Sequence, residues 1–439
     1  MSGVEIGLIS VLAILALIYA GLYVPVALGI VSFASVWVLR DSLEAPVYLL
    51  TLAASDSIED YIFGVIPLFV LMGLLVSQSD LGKDVYAVAH HLLRRLRGGL
   101  GVATVAANAA FAAITGVSIA SAAVFTRVSV PEMRRFGYNP RFAVGVVAGS
   151  SVLGMLIPPS VMLIIYALIT EQSVADLFTA GIVPGIILAI AYSVAIVAMA
   201  TFFPRYIGGQ HASGPTAAQP GRMSALELTR MTSPLVVLVL LVLGGIYGGF
   251  FTPTEAGAVG ALGALVIALI KRRLDRTTMW KVLVETGHIT ASILLLIVAA
   301  TMYSRMLAMS GLPNELGEWI AQADMGLYSI LAIYVVLLIL MGTILDTTSI
   351  ILIMVPLFLP IMDPYNINLI WFGIVTIVGA EIGLLTPPLG IACYVIKTTL
   401  PDDDIELFDI FAGAFPFAVI MLIVLILLIA FPSVSLMLI

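Results

Sequence analysis

Two Pro-Pro pairs inside long apolar segments constrain the fold of this chain more than any other feature. They close the stretches Gly154-Met155-Leu156-Ile157-Pro158-Pro159 and Gly383-Leu384-Leu385-Thr386-Pro387-Pro388, which lie 229 positions apart (383 − 154 = 229). A proline lacks the N–H that closes a helical turn, and its ring clashes with the preceding turn, so each pair must interrupt a helix. A bilayer tolerates the freed carbonyl groups only against protein or a water-filled cavity. Two matched broken helices therefore predict a transporter built from two repeats, with its site near the membrane midplane.

The composition indicates a polytopic membrane protein. Of the 439 residues, 61% are hydrophobic and 10% are charged, whereas a soluble domain carries about 25% charged residues. At about 20 residues per crossing, the apolar runs allow roughly ten crossings. The few basic residues lie in short loops, so no nucleic-acid binding is expected, and a single cysteine, Cys393, excludes a disulfide framework. No basic region precedes the first apolar run, so we expect a retained span and not a cleaved signal.

The apolar runs and the loop composition predict five regions. They are N-terminal scaffold spans with an amphipathic arm (1–97), a first hairpin and broken helix (98–180), further scaffold spans (181–326), a second hairpin and broken helix (327–400) and a C-terminal span (401–439). Residues 204–232 are rich in Gly, Pro, Ser and Ala and predict a cytoplasmic linker. Residues 98–130 and 327–360 are each long for one span and short for two. We therefore expect both to enter and leave the membrane on one side.

The number of crossings between the two breaks sets the relative orientation of the repeats. Four full spans and two half-helices give an odd number of crossings, so the repeats are oppositely oriented. The distribution of Lys and Arg among the loops leads to the same orientation and places both termini outside the cytoplasm. The predicted fold is an all-α polytopic membrane protein of two inverted-topology repeats. Each repeat holds a re-entrant helical hairpin and a Pro-Pro-broken helix.

The strongest candidate for a functional residue is a carboxylate in the second hairpin. Asp346 is followed by the hydroxyl residues Thr347, Thr348 and Ser349. A carboxylate at mid-membrane depth costs about 2.5–3.5 kcal/mol on insertion scales, so it requires a partner. Hard oxygen donors with one negative charge suit a small hard cation such as Na⁺. Alternatively, Asp346 caps the helix that follows it, and the two roles can coexist.

The corresponding tip of the first hairpin has no carboxylate. Its residues could hold a cation through hydroxyls and carbonyls, or could serve close helix packing; they are Thr115, Gly116, Ser118 and Ser121. A half-helix that ends at a break offers carbonyls and a negative dipole end to a cation, unless the kink only shapes packing. The break residues of interest are Ser150, Ser151, Gly154, Pro158, Pro159, Ser160, Gly383, Thr386, Pro387 and Pro388.

Three charged residues within the apolar segments have open roles. Glu381, just before the second break, could bind an ion or a proton, or pair with a neighbour. Arg305 and Arg127 could attract an anionic substrate, or could reach from span ends to lipid headgroups. The candidate substrate contacts are Ser121, Ser151, Ser160, Arg305 and Glu381.

Several motifs, in the right order, make nearly the whole chain resemble the large membrane subunit of tripartite ATP-independent periplasmic (TRAP) transporters. They are Val130-Pro131-Glu132-Met133 with Gly137-Tyr138, Leu156-Ile157-Pro158-Pro159-Ser160, Ala180-Gly181-Ile182-Val183-Pro184-Gly185, Phe251-Thr252-Pro253-Thr254-Glu255-Ala256-Gly257, Leu345-Asp346, and Glu381-Ile382-Gly383-Leu384-Leu385-Thr386-Pro387-Pro388-Leu389-Gly390.

The resemblance implies Na⁺-driven import of an organic anion, such as a C4-dicarboxylate or a sialic acid, across the bacterial inner membrane. It implies two partners, a small membrane subunit and a periplasmic binding protein that delivers the substrate. It also implies an elevator architecture, in which hairpins and broken helices form a transport domain that moves against a scaffold embedded in lipid. Na⁺ is the only cofactor expected, as the coupling ion.

The family's sodium positions carry over onto the tips and the breaks. The first site comprises Thr115, Gly116, Ser118, Ser150, Gly154 and Pro158, and the second comprises Asp346, Thr347, Thr348, Gly383, Thr386 and Pro388. The first tip, Thr115-Gly116-Val117-Ser118, departs from the family pattern because it is less serine-rich than a Ser-Gly-Ser-type tip.

Two other classes of function compete with this interpretation. A related inverted-repeat carrier that works alone would transport when reconstituted without a binding protein. An intramembrane enzyme would need a nucleophile–base pair at depth, and the apolar core offers no histidine and one cysteine. A scaffold subunit would not need two polar tips in symmetric register. We therefore predict a transporter and not an enzyme.

Overall fold

The computed structural model describes residues 1–59, 61–208, 223–400 and 404–439, which form helices joined by short turns and no strand. The helices before the linker are α1 Gly3–Tyr19, α2 Val24–Arg40, α3 Glu44–Glu59, α4 Val65–Gln78, α5 Leu81–Leu93, α6 Gly99–Thr115, α7 Ser118–Arg135, α8 Pro140–Ser151, α9 Leu153–Leu156, α10 Val161–Thr170, α11 Val174–Phe202 and α12 Pro204–Ile207. The helices after it are α13 Ala225–Tyr247, α14 Pro253–Ile270, α15 Arg276–Ser310, α16 Leu312–Gln322, α17 Leu327–Gly342, α18 Thr347–Met362, α19 Leu369–Leu384, α20 Ile391–Thr399, α21 Leu407–Ala430 and α22 Ser433–Leu436.

Fewer helices qualify as full spans than the roughly ten crossings that the apolar runs allow. Among the described residues, six helices are long and apolar enough to cross a membrane, or up to eight if each of two bent pairs is one span. The bent pairs are α4 with α5, at 64°, and α8–α9 with α10, at 42°. The apolar helices α1 and α2 have 17 residues each and fall just short of that length.

The predicted linker is shorter than residues 204–232. Helix α13 already begins at Ala225, because Ser224 and Glu227 form a capping box in which each side chain accepts from the backbone N–H of the other. Such a box satisfies two N–H groups at a helix start, so it overrides the polar composition around it. Residues 209–222 lie outside the described part of the chain.

Each predicted hairpin corresponds to two helices joined by a short connection. In the first, Thr104 bonds with Ser129, and the Ser121 hydroxyl donates to Asn108, so α6 and α7 run in opposite directions. Gly116 reverses the chain at a φ of 61°, which a glycine adopts without steric cost. In the second, residues 343–346 join α17 to α18.

The prolines interrupt the helices where the sequence predicts. Pro158 and Pro159 separate α9 from α10, and Pro387 and Pro388 separate α19 from α20; both Pro-Pro bonds are cis. The two breaks differ in their surroundings. Pro158 and Pro159 are buried, whereas Pro387 and Pro388 are exposed.

The 229-residue offset extends well beyond the two breaks. Helix starts coincide at positions 24 and 253, 118 and 347, and 140 and 369. The caps coincide too: Asn139 accepts from the N–H of Arg141, and Asn368 accepts from the N–H of Ile370. The two halves therefore repeat the same order of helices.

The hairpins and broken helices pack together with two long helices, α11 and α21. Helix α11 contacts α6, α9, α10, α19 and α21, while α21 contacts α8, α19 and α20. Glycines bring α8 and α21 into backbone contact, since a Cβ added at Gly145 would lie 2.1 Å from the Gly413 carbonyl oxygen. The sequence prediction had assigned residues 181–202 and 401–439 to other regions. Helices α2, α3, α4, α14 and α15 form a second packed group.

Candidate functional site

In the first half, the hairpin tip touches the break directly. The N–H of Val161 donates to the Gly116 carbonyl at 3.3 Å, and a Cβ added at Gly116 would lie 2.5 Å from the Pro159 carbonyl oxygen. A Cβ added at Gly154 would lie 3.2 Å from the Ser118 nitrogen. The structure thus brings the predicted tip residues and the predicted break residues to one place, inside the protein.

A buried amide, Asn108, ties three helices together behind this tip. Its Nδ2 donates to the Ser150 hydroxyl at 2.6 Å, and its Oδ1 accepts from the Ser121 hydroxyl at 2.5 Å. Asn108 is fully buried, so both bonds replace water that the amide lost on folding. Asn108 is not among the site residues predicted from the sequence. An amide inside an apolar segment was the available signal, because such a group requires partners.

Three other predicted site residues of the first half have hydroxyls that bond to nearby backbone. The Thr115 hydroxyl donates to Phe111 O at 3.1 Å, the Ser151 hydroxyl to Ala148 O at 2.8 Å and the Ser160 hydroxyl to Met155 O at 2.5 Å. Ser160 also caps α10 by accepting from the Leu163 N–H at 3.4 Å. Since each hydroxyl has two acceptor lone pairs, these bonds leave acceptor capacity for a cation.

In the second half, Asp346 caps α18. Its Oδ2 accepts from the Ser349 N–H at 3.2 Å, and its Oδ1 accepts from the Ser349 hydroxyl at 2.5 Å. The capping alternative is therefore realised. Each carboxylate oxygen keeps a further lone pair, so the cap leaves the cation role open.

Backbone contacts join the second hairpin to the second break. The Thr343 carbonyl accepts from the N–H of Leu389 at 3.1 Å and of Gly390 at 3.3 Å. A Cβ added at Gly383 would lie 2.5 Å from the Gly342 Cα, so only a glycine allows α17 and α19 to approach this closely.

Glu381 is held by the first residue of α18. The Thr347 hydroxyl donates to Glu381 Oε1 at 2.6 Å, and Glu381 is 1% exposed. Two other predicted ligands bond elsewhere: the Thr348 hydroxyl contacts Met162 Sδ at 3.5 Å, and the Thr386 hydroxyl donates to Ile382 O at 2.6 Å. Pro388 is exposed.

The helix ends around each tip carry opposite partial charges. In the first half α6 and α9 end where α7 and α10 begin, and in the second half α17 and α19 end where α18 and α20 begin. A helix C-terminus carries about −0.5 charge and an N-terminus about +0.5. Each tip can therefore favour a cation at the helix ends and an anionic group at the helix starts.

Arg305 lies apart from the tips, in a cavity of about 310 Å³ between α15 and α18. One guanidinium nitrogen, Nη2, pairs with Asp56, while Nη1 is buried without a described partner. The hydroxyl residues Thr301 and Ser304 also line the cavity. Arg127, by contrast, is exposed.

A family model described as "Tripartite ATP-independent periplasmic transporter, DctM component" matches residues 11–434. The chain is 32% identical to the C4-dicarboxylate TRAP transporter large permease protein DctM of Pseudomonas aeruginosa, over 87% of each chain. It is 30% identical to the sialic acid TRAP transporter large permease protein SiaM of Vibrio cholerae, also over 87% of each. It is 30% identical to the isethionate TRAP transporter permease protein DctMQ of Oleidesulfovibrio alaskensis, over 85% of this chain and 58% of that protein.

Among solved structures, the fold is similar to that of the YdaH transporter of Alcanivorax borkumensis. The TM-score is 0.67 at 14% identity, with 93% of this chain and 97% of that chain covered. MtrF of Neisseria gonorrhoeae is also similar, with a TM-score of 0.59 at 12% identity over 90% of this chain and 85% of that one. At this level of identity the likeness concerns the fold alone.

Proposed function

Because the chain belongs to the DctM-component family of tripartite ATP-independent periplasmic transporters, we propose that it imports an organic anion by sodium symport. It is a permease, and its relatives include proteins named for C4-dicarboxylate, sialic acid and isethionate. All three compounds are organic acids, so the proposed substrate is a small carboxylate or sulfonate. One observation supports the proposal above all. In each half of the chain a hairpin tip lies against a Pro-Pro break, and the two sets of residues are 229 positions apart.

The two tips fit a small hard cation. Hydroxyls and helix C-termini surround the first, with Thr115, Gly116, Ser118, Ser150, Gly154 and Pro158 as the proposed sodium residues. The second adds a carboxylate, with Asp346, Thr347, Thr348, Gly383, Thr386 and Pro388. Hard oxygen donors of this kind suit Na⁺, and half-helix ends are where coupling ions bind in repeat transporters.

The anion is proposed to meet positive groups near these sites. Helices α7 and α20 begin without a side-chain cap, so their first N–H groups can receive a carboxylate. Ser121, Ser151 and Ser160 belong to the first tip and break, and Arg305 offers a guanidinium in the separate cavity between α15 and α18. These positions are the proposed substrate contacts.

Transport is proposed to follow an elevator mechanism between inverted repeats. The packing supports a moving body made of the hairpins and broken helices, with α11 and α21 attached to it. The group of α2, α3, α4, α14 and α15 would be the scaffold, held by lipid and by the small membrane subunit. We place the protein in the bacterial inner membrane with both termini in the periplasm, where a binding protein delivers the substrate.

Uptake by proteoliposomes tests the proposal. The protein is reconstituted with its small subunit, with and without the binding protein, and uptake of a labelled C4-dicarboxylate, sialic acid and isethionate is measured in Na⁺ and in K⁺. We expect uptake that requires both Na⁺ and the binding protein, and its loss in Asp346→Ala. Uptake without the binding protein would instead identify a stand-alone carrier. Uptake by Asp346→Ala with unchanged Na⁺ dependence would restrict Asp346 to helix capping.

A further inference from the structure

Glu381 has a carboxylate oxygen with no described partner, deep inside the protein. Oε1 accepts from the Thr347 hydroxyl, whereas Oε2 is buried and makes no hydrogen bond within the described residues. No arginine, lysine or histidine of the described chain forms an ion pair with it. A carboxylate removed from water without a compensating charge is costly, so this group requires either a proton or a cation as its partner.

The position of Glu381 on its helix adds to the negative charge at this place. It lies in the last turn of α19, where the helix dipole places partial negative charge. An anionic substrate would be repelled by both charges, which argues against Glu381 as a direct substrate contact. A cation would be attracted by both.

A second orphaned polar atom lies on a helix that contacts α19. The Tyr192 hydroxyl is fully buried without a described partner, on α11, which packs against α19. A phenolic oxygen can donate to a carboxylate or contribute a lone pair to a cation. Two buried oxygens without a described partner therefore lie on the contacting helices α11 and α19.

Thr347 connects this region to the tip of the second hairpin. Its hydroxyl donates to Glu381, while its neighbour Asp346 uses both carboxylate oxygens to cap α18. The cap reduces what Asp346 can offer to an ion, and the buried Oε2 of Glu381 has no such competing bond.

We propose that Glu381 is a sodium ligand of the second site, with Tyr192 as a further oxygen donor. This inference rests on the proposed sodium symport and names the buried carboxylate that would neutralise the ion. The equivalent positions in the first half are Val152 for Glu381 and Val117 for Asp346 (381 − 229 = 152; 346 − 229 = 117). Both carboxylates thus belong to the second half, so the second site binds Na⁺ more tightly than the first and fills first.

Sodium binding to the purified protein in detergent tests the proposal directly. Thermal stability is followed while NaCl replaces choline chloride at constant ionic strength, and bound ²²Na⁺ is counted in parallel. The variants are Glu381→Gln, which keeps the shape of the side chain, and Tyr192→Phe, which removes one hydroxyl. Asp363→Asn is the matched control, because Asp363 is an exposed carboxylate just after α18.

We expect Glu381→Gln to raise the half-saturating Na⁺ concentration of the tighter phase by about tenfold or more, as loss of a metal-supporting group typically does. Tyr192→Phe should raise it less, and Asp363→Asn should leave it unchanged. If Glu381→Gln does not yield a monodisperse protein, Glu381→Asp is compared instead, since a shorter carboxylate should also weaken the tight phase.

The outcomes separate this inference from the proposed function. A wild-type protein that neither binds ²²Na⁺ nor gains stability in Na⁺ would refute sodium symport. A wild-type protein that binds Na⁺, with an unchanged tight phase in the Glu381 variant that is measured, would refute the Glu381 assignment and leave sodium symport standing.

Discussion

Replacing Thr347 with valine would remove one hydroxyl and keep the branched shape of the side chain. Thr347 is 3% exposed, so water cannot take the place of the hydroxyl. Glu381, 1% exposed, would lose the hydrogen bond of 2.6 Å that holds Oε1. Both of its carboxylate oxygens would then be buried without a described partner.

The expected cost follows from the kind of bond that is lost. A buried polar group left without its hydrogen-bond partner costs about 1–3 kcal/mol, and more when the group is charged. We therefore expect Thr347→Val to lower the free energy of unfolding by about 2–3 kcal/mol. Thr348→Val is the matched control. Its hydroxyl contacts the weak acceptor Met162 Sδ at 3.5 Å, so its loss should cost well under about 1 kcal/mol.

Equilibrium unfolding by SDS in mixed micelles, in Na⁺-free buffer, measures both variants without a contribution from bound ion. Thr347→Val is also combined with Glu381→Gln in a double-mutant cycle. The Thr347 hydroxyl stabilises a neutral amide at position 381 less than it stabilises a carboxylate. We therefore expect a coupling energy between the two substitutions of about 1 kcal/mol or more. Equal costs for Thr347→Val and Thr348→Val, or a coupling near zero, would refute the reasoning.

Three further substitutions test other parts of the structure. Gly145→Ala should prevent recovery of monodisperse protein in size-exclusion chromatography, because its Cβ would lie 2.1 Å from a backbone oxygen of α21, whereas Gly287→Ala, with no atom within 4 Å, should be tolerated. Asn108→Ala should lower the free energy of unfolding in SDS by about 1–3 kcal/mol, since Ser121 and Ser150 both lose a buried partner; a neutral result would contradict the network. Asp56→Asn should lower the KM for uptake severalfold by freeing Arg305 for the anion, and an unchanged KM would exclude Arg305 from the substrate path.

Local sequence signals predicted the helix breaks, the hairpins and the family. A Pro-Pro pair interrupts the helix in which it lies, and Gly116 allows the chain to reverse at its own position. Both effects are local, so they can be predicted without knowledge of tertiary contacts. The predicted linker, 204–232, extends past the start of α13 because a capping box, Ser224 with Glu227, lies within an otherwise linker-like composition. It could have been recognised from its Ser-x-x-Glu spacing.

Contacts between distant residues could not be predicted in the same way. The bond between Thr347 and Glu381 joins residues 34 positions apart, and the bond between Asn108 and Ser150 joins residues 42 positions apart. Each depends on how helices pack. For Asp346, the sequence offered a cap and an ion ligand as alternatives, because both use the same carboxylate oxygens. The structure realises the cap, and the sodium role stays a prediction.

The unequal burial of the two Pro-Pro breaks bears on the energy balance of transport. Pro158 and Pro159 are buried inside the protein, whereas the equivalent Pro387 and Pro388 are exposed. In a transporter of two inverted repeats, the opposite-facing conformer would bury the second break and expose the first. Both conformers would then be held by similar contacts. We therefore expect the two conformers to differ by only a few kcal/mol. A gap of that size is one that differential binding of a coupling ion and an anion can reverse.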